Sequence, residues 1–167
     1  DLTDATIVAN SYNYGTGVSQ DNVFPDFMKG KLLYNLLLPT SITTIGNNAL
    51  YNCDHIQAIT IPDNVTSIGG AAFYLCNLLS TVNVTNESKL ATIGNDAFAT
   101  TSNLQSIDLS PAAQLTSLGT NAFLYSAIKT IALPASLKAI GNKAFSMCSS
   151  LVSYAGGASI GQYAFEG

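Results

Sequence analysis

Ile68-Gly69-Gly70-Ala71-Ala72-Phe73 decides the fold of this chain, because the same phrase keeps returning. An isoleucine or leucine, a glycine, two variable residues, an alanine and a large apolar residue recur along the sequence. The other copies are Ile45-Gly46…Ala49-Leu50, Ile93-Gly94…Ala97-Phe98, Leu118-Gly119…Ala122-Phe123 and Ile140-Gly141…Ala144-Phe145. A sixth, Ile160-Gly161…Ala164-Phe165, runs into the C-terminus. Successive copies stand 23, 25, 25, 22 and 20 residues apart. Periodicity of this length marks a solenoid, in which one coil buries its apolar side only against its neighbours.

Working outward from the phrase, a second apolar pattern fills the intervals. Ile56, Ile59 and Ile61 recur as Leu33, Leu36 and Leu38; as Leu79, Val82 and Val84; as Leu104, Ile107 and Leu109; and as Ile128, Ile131 and Leu133. The last half of each set alternates with polar residues, the period of a half-buried strand. Pro39, Pro62 and Pro134 follow directly; proline lacks the ladder donor and ends the strand. A second inward anchor comes next, at Ile42, Val65, Leu90, Leu115 and Leu137, three residues before the repeated Ile or Leu.

In this reading the glycine turns the chain, the alanine fits beside the adjoining coil, and the phenylalanine plugs the interior. The Gly-x-x-Ala-Phe stretch is expected to form a brief helical turn between two short strands. Stacked coils pair those strands in parallel and satisfy backbone groups through their neighbours. With each large apolar side chain worth ~1.5–3 kcal/mol when buried, seven inward positions per coil outweigh local propensity.

The unit running from Ile56 through Pro62, Val65, Ile68-Gly69 and Ala72-Phe73 to Cys76 resembles the leucine-rich repeat of the BspA type, found in bacterial surface proteins. Common leucine-rich repeats carry asparagine after the strand; here Ile, Val or Leu stands there, as in the BspA type. The resemblance covers residues 23–167. It implies a right-handed leucine-rich repeat superhelix of about six coils. Short parallel strands would line the concave side, with turns or short helical turns on the convex side and little regular helix. It also implies an extracellular or cell-surface location and a role in adhesion.

Residues 1–22 do not fit the repeat and are expected to form an N-terminal cap of a strand or two. Val23 to Met28 resembles a degraded copy. Two coils carry extra residues after the strand, Thr85-Asn86-Glu87-Ser88-Lys89 and Ser110-Pro111-Ala112-Ala113-Gln114, which are expected to bulge from one rim. The last coil, Leu151 to Ile160, has lost three residues, and Gly156-Gly157 stands where a strand should end. The array is expected to continue beyond residue 167 in a longer protein, and any signal peptide to have been removed or to lie outside this chain.

Composition narrows the function classes. The 167 residues are 47 % apolar, enough for a core, and only 10 % are charged, with a net charge of −4. No run of Lys or Arg offers a nucleic-acid or anionic-membrane footprint. No stretch reaches the ~18 apolar residues of a membrane-spanning helix.

Three cysteines make no disulfide framework. Cys53, Cys76 and Cys148 each lie three residues after the large apolar residue of the phrase, where Thr101 and Ser126 stand in other coils. A slot taking Cys, Thr or Ser wants a small inward side chain, and the three are read as reduced structural thiols acting as small hydrophobes. Cys53 and Cys76 occupy neighbouring coils within reach of each other; Cys148 is too far from both.

Motifs that look chemical lack their context. Gly157-Ala158-Ser159-Ile160-Gly161 matches a nucleophile elbow in letters, but the elbow needs a later histidine, and the one histidine, His55, precedes it. Gly15-Thr16-Gly17 lacks the third glycine of a dinucleotide fingerprint. His55 beside Asp54 is no zinc set, and Asp63, Asp96 and Asp108 fall in different slots. No catalytic residue, cofactor or metal is therefore assigned. Three Asn-x-Ser/Thr matches, at Asn64, Asn83 and Asn86, fall within an Asn- and Thr-rich chain.

Outward positions of the strands form two rows. One runs Asn35, Ala58, Thr81, Ser106, Thr130, Ser153; the other Leu37, Thr60, Asn83, Asp108, Ala132, Ala155. The candidate contacts are Asn35, Thr60, Thr81, Asn83, Ser106, Asp108 and Thr130. They suit a non-enzymatic extracellular adhesion module that takes a protein, or a glycan, over an extended face. The alternative is a structural spacer in a larger surface protein. Neither nucleic acid nor a membrane span enters either reading.

Overall fold

The structure, a computed structural model, describes residues 10–14, 18–22, 33–54, 56–155 and 159–167. At the N-terminus β1 (Asn10–Tyr14) and β2 (Val18–Asn22) pair antiparallel, with Tyr12 opposite Gln20. The degraded copy at Val23 to Met28 lies outside the described residues, as do His55 and Gly156-Gly157.

Each coil contributes one longer and one two-residue strand. The longer ones are β3 (Leu33–Leu36), β5 (Ile56–Ile61), β7 (Thr81–Val84), β9 (Ser106–Asp108), β11 (Thr130–Ala132) and β13 (Ser153–Ala155). The two-residue strands are β4 (Thr44–Ile45), β6 (Ser67–Ile68), β8 (Thr92–Ile93), β10 (Ser117–Leu118), β12 (Ala139–Ile140) and β14 (Ser159–Ile160). All six of these pair in parallel, in chain order, as one sheet. The repeated Ile or Leu of successive coils stands in register there, Ile45 on Ile68 and Leu118 on Ile140.

The longer strands do not form the single sheet their pattern predicts. They split into β3-β5-β7 and β9-β11-β13. β7 and β9 lie side by side without ladder pairing. The break adjoins the coil in which residues 85–89 lengthen the chain straight after β7.

Inward positions are buried as the pattern requires. In the second coil Ile56, Ile59, Ile61, Val65, Ile68, Ala72 and Phe73 are all at most 2 % exposed. The phenylalanines line up in one column: Phe73 on Phe98 at 4.9 Å between ring centroids, then Phe123, Phe145 and Phe165 at 5.3 Å steps, all within 9° of parallel. Leu50 fills the same slot in the first coil.

The insertions tuck in as well as bulge. Ser88 and Ala112 are buried, while Asn86, Glu87, Ala113 and Gln114 stay exposed. Pro62 and Pro134 are likewise buried in the shorter coils.

Two details of the phrase differ from expectation. First, Gly-x-x-Ala-Phe forms no helical turn; no helix occurs among the described residues. Instead, amides alternate between two kinds of partner. Ala49 and Tyr51 donate to Gly46 and Asn48 of their own coil, while Asn48 and Leu50 donate to Gly70 and Ala72 of the next. With this alternation, residues four apart are left-handed in each coil, Asn48 and Asn52, Ala71 and Leu75, Asp96 and Thr100, Asn121 and Tyr125, Lys143 and Met147, and Tyr163 in the last, with φ between 53° and 61°. The donors that a helix would spend within one coil here tie coils together.

Second, from Gly69 onward the repeated glycines are needed for space rather than for a turn; none of the six has a positive φ. A Cβ on Gly94 would meet the backbone carbon of Gly69 at 2.7 Å.

Lys143 is exposed and holds φ at 54°. A left-handed non-glycine residue costs roughly 1–2 kcal/mol, whereas glycine's extra chain entropy costs roughly 0.5–1 kcal/mol. Lys143→Gly is therefore expected to raise stability by about 0.5–1 kcal/mol, read as a higher urea midpoint. Asn48→Gly gains less, since asparagine already tolerates this region.

The small-residue slot corrects a further reading. Its side chains act as hydrogen-bond donors, not simply as hydrophobes. The Cys76 and Cys148 thiols donate to the Leu50 and Phe123 carbonyls of the preceding coil, each at 3.0 Å. Thr101 donates to Phe98 O of its own coil at 2.8 Å. Cys76, Cys148 and Thr101 each bring one X–H group to a buried carbonyl, while the Ser126 hydroxyl lies against the Cys148 sulfur, so small side chains with one X–H group interchange here.

Candidate interaction face

Alternation along the longer strands sorts side chains into core and surface. Ile59, Val82, Ile107 and Ile131 point inward and are buried. Thr60, Thr81, Asn83, Ser106, Asp108 and Thr130 point outward and are exposed.

Register brings the candidates together in two groups. Asn35, Ala58 and Thr81 align across β3, β5 and β7, and Thr60 aligns with Asn83. Ser106 and Thr130 align across β9 and β11, with Asp108 opposite Ala132. The missing ladder between β7 and β9 separates the groups. The Asn35 side chain lies outside the described residues.

Local bonds set what these groups can offer. Asn83 donates through Nδ2 to Thr60 Oγ1 at 3.3 Å, so neighbouring rungs brace each other. Asp108 accepts from the Ser110 amide at 2.9 Å and the Ser110 hydroxyl at 2.6 Å. Its carboxylate is anchored in its own turn and presents a fixed negative charge beside small hydroxyls.

Sequence reasoning missed a third row on this face. Ser80, Gln105, Lys129 and Val152 are exposed and follow the anchors Leu79, Leu104, Ile128 and Leu151 directly. Lys129 Nζ donates to Gln105 Oε1 at 3.0 Å, which places a cation on the same wall as Asp108. The signal was available, one residue past each anchor, but it lies outside the alternating half of the pattern.

The chemical motifs do not assemble. Ser159 is exposed in β14, in register with Ala139, as an ordinary rung position with a further turn after it. Its neighbours Gly157 and Ala158 lie outside the described residues, as does Gly15-Thr16-Gly17. Asp63 is hydrogen-bonded by Thr85, and Asp96 by Asn121 Nδ2 at 3.0 Å. Among the described residues no group of three or more His, Cys, Asp or Glu could hold a metal ion. No described helix is long and apolar enough to cross a membrane.

The sequence model described as "BspA type Leucine rich repeat region" matches residues 25–152 in six copies. Among solved structures, a leucine-rich repeat protein from Bacteroides ovatus is 29 % identical over 79 % of this chain, with a TM-score of 0.67. One from Eubacterium ventriosum is 23 % identical over 74 %, with a TM-score of 0.66. The pneumococcal vaccine antigen PcpA is 23 % identical over 87 %, with a TM-score of 0.65. This chain spans 36 %, 32 % and 40 % of those three chains. No curated protein matches it.

Proposed function

We propose, from the premise that this chain belongs to the BspA-type leucine-rich repeat family, that it is a non-enzymatic extracellular module holding a protein ligand against the longer-strand wall. The carrying observation is two adjoining groups of exposed, short polar side chains over a buried layer: Thr81 and Asn83 on β7, in register with β5, and Ser106 and Asp108 on β9, in register with β11, which carries Thr130. Short side chains on a rigid stack let an extended partner approach the backbone closely and lose little entropy on ordering.

Hydroxyl and amide donors beside a single carboxylate suit a polar peptide or a glycan, and do not suit a polyanion. Surface location is supported by the description of the similarly folded pneumococcal protein as a vaccine antigen. Residues 1–22 are proposed to serve as a cap and residues 23–167 as the array.

The test uses beads coated with the chain on a layer of extracellular matrix. Wild-type beads should stay attached. The triple variant Thr81→Lys, Asn83→Lys, Ser106→Lys should lose attachment by about tenfold at an unchanged urea midpoint. Equal retention of both, or no retention of wild-type beads above bare ones, would replace this reading with that of a structural spacer.

A further inference from the structure

Cys53 and Cys76 hold the same slot of successive coils, and their bonds converge on one atom. The Cys53 amide donates to Leu50 O at 3.2 Å, and the Cys76 thiol donates to that same oxygen at 3.0 Å. One residue earlier the Asn52 amide donates to Tyr74 O at 2.7 Å, and before it the Leu50 amide to Ala72 O at 2.8 Å, so backbone hydrogen bonds join the two coils up to the slot as they do in a strand ladder. Adjacent rungs of such a ladder lie ~4.7–4.9 Å apart, inside the ~4.4–6.8 Å between Cα atoms that a disulfide spans. Cys148 differs, because its neighbour in the column is Ser126, whose hydroxyl lies 3.3 Å from its sulfur.

We infer that Cys53 and Cys76 form an oxidisable pair, a covalent modification site at which a low-molecular-weight disulfide oxidises the two thiols and the resulting Cys53–Cys76 disulfide joins the first coil to the second. The inference is independent of what binds the longer-strand wall.

The burial of the two thiols orders the chemistry. Cys76 is fully buried, and Cys53 is partly exposed. Burial, and next the charge of a nearby Cys53 thiolate, push the Cys76 thiol far above the usual thiol range. Cys53 is therefore the point of attack. Its thiolate displaces one glutathione thiolate from glutathione disulfide and forms a mixed disulfide. Cys76 then gives its proton to solvent, attacks Cys53 Sγ and expels the second glutathione thiolate. Two protein thiols and one glutathione disulfide become one protein disulfide and two glutathione thiols.

The bond costs the Cys76 hydrogen bond to Leu50 O, while that oxygen keeps the Cys53 amide. Because the Cys76 thiol ionises so far above neutral pH, the second step should speed up about tenfold per pH unit.

The experiment incubates the purified chain with glutathione disulfide and counts thiols after denaturation. The count is expected to fall from three to one, the mass by two hydrogens, and a peptide map to link Cys53 to Cys76. Cys148→Ser should give the same link. Cys53→Ser, a residue this slot already accepts at position 126, should leave both remaining thiols unlinked. Retention of all three thiols, a glutathione adduct on Cys53 that never resolves as pH rises, or a link through Cys148 would each overturn the inference.

Discussion

Gly119→Ala should lower stability by about 3 kcal/mol or more, whereas Gly46→Ala should leave it unchanged or slightly improved. Both glycines open the same repeated phrase, and neither has a positive φ, so alanine meets no conformational barrier at either. What separates them is the neighbour. A Cβ on Gly119 would stand 2.4 Å from the backbone carbon of Gly94 and 2.5 Å from the Asn95 nitrogen. Backbone cannot rotate away as a side chain does, so the coils must part. Parting them stretches the Gly119 amide bond to Ile93 O, now 2.8 Å, and loosens the adjoining sheet. At Gly46 no described residue lies within 4 Å of the added carbon. There alanine only restricts the unfolded chain, which stabilises by about 0.4–1 kcal/mol. Urea midpoints of the two variants check the contrast; equal losses would mean that the glycines act through the chain's conformation and not through the gap between coils.

Phe98→Ala should be the costliest core change, at about 3–5 kcal/mol for the cavity with about 0.5–1.5 kcal/mol more for each lost ring contact. Phe98 is fully buried and stacks on both sides, on Phe73 at 4.9 Å and Phe123 at 5.3 Å. Removing it breaks the column in its middle. Phe165→Ala removes a ring that stacks on Phe145 at the end of the described column and is 37 % exposed, and should cost about a third as much. Phe98→Leu should be tolerated within about 1.5 kcal/mol, since Leu50 already fills this slot in the first coil. Equilibrium urea unfolding of the three variants tests the order. A Phe98→Ala loss no larger than that of Phe165→Ala would show that the column carries little of the stability.

Much of the architecture was legible because a repeat reports its own contacts. Ile68, Ala72 and Phe73 recur at one period, and residues recurring at one period in a stacked coil must meet their own copies. The phenylalanine column, the parallel register of Ile45 on Ile68 and the alignments of Ala58 with Thr81 and of Ser106 with Thr130 all follow from that rule. The same rule hid whatever differs between coils. The ladder gap between β7 and β9 is a property of two particular rungs, and no single-coil pattern carries that information.

The candidate face was half legible. Outward alternation found Thr60, Asn83 and Thr130, but the row through Gln105 and Lys129 precedes the alternating segment. The role of the slot at Cys76 was misjudged for a related reason. Burial of a small side chain is visible in a pattern of Cys, Thr and Ser, but the carbonyl it serves belongs to another coil.

From the letters alone, this chain was bound to be a stack of near-23-residue coils with one apolar interior, because only a neighbour could cover each coil's exposed greasy side. Tertiary contact alone decided what the glycine is for and how the Gly-x-x-Ala-Phe segment runs. Whether an amide bonds within its coil or across to the next depends on the distance between two backbones, and the stacking itself sets that distance. The approach proved close enough to exclude a Cβ at Gly119 and to hold Asn48, Lys143 and their counterparts left-handed.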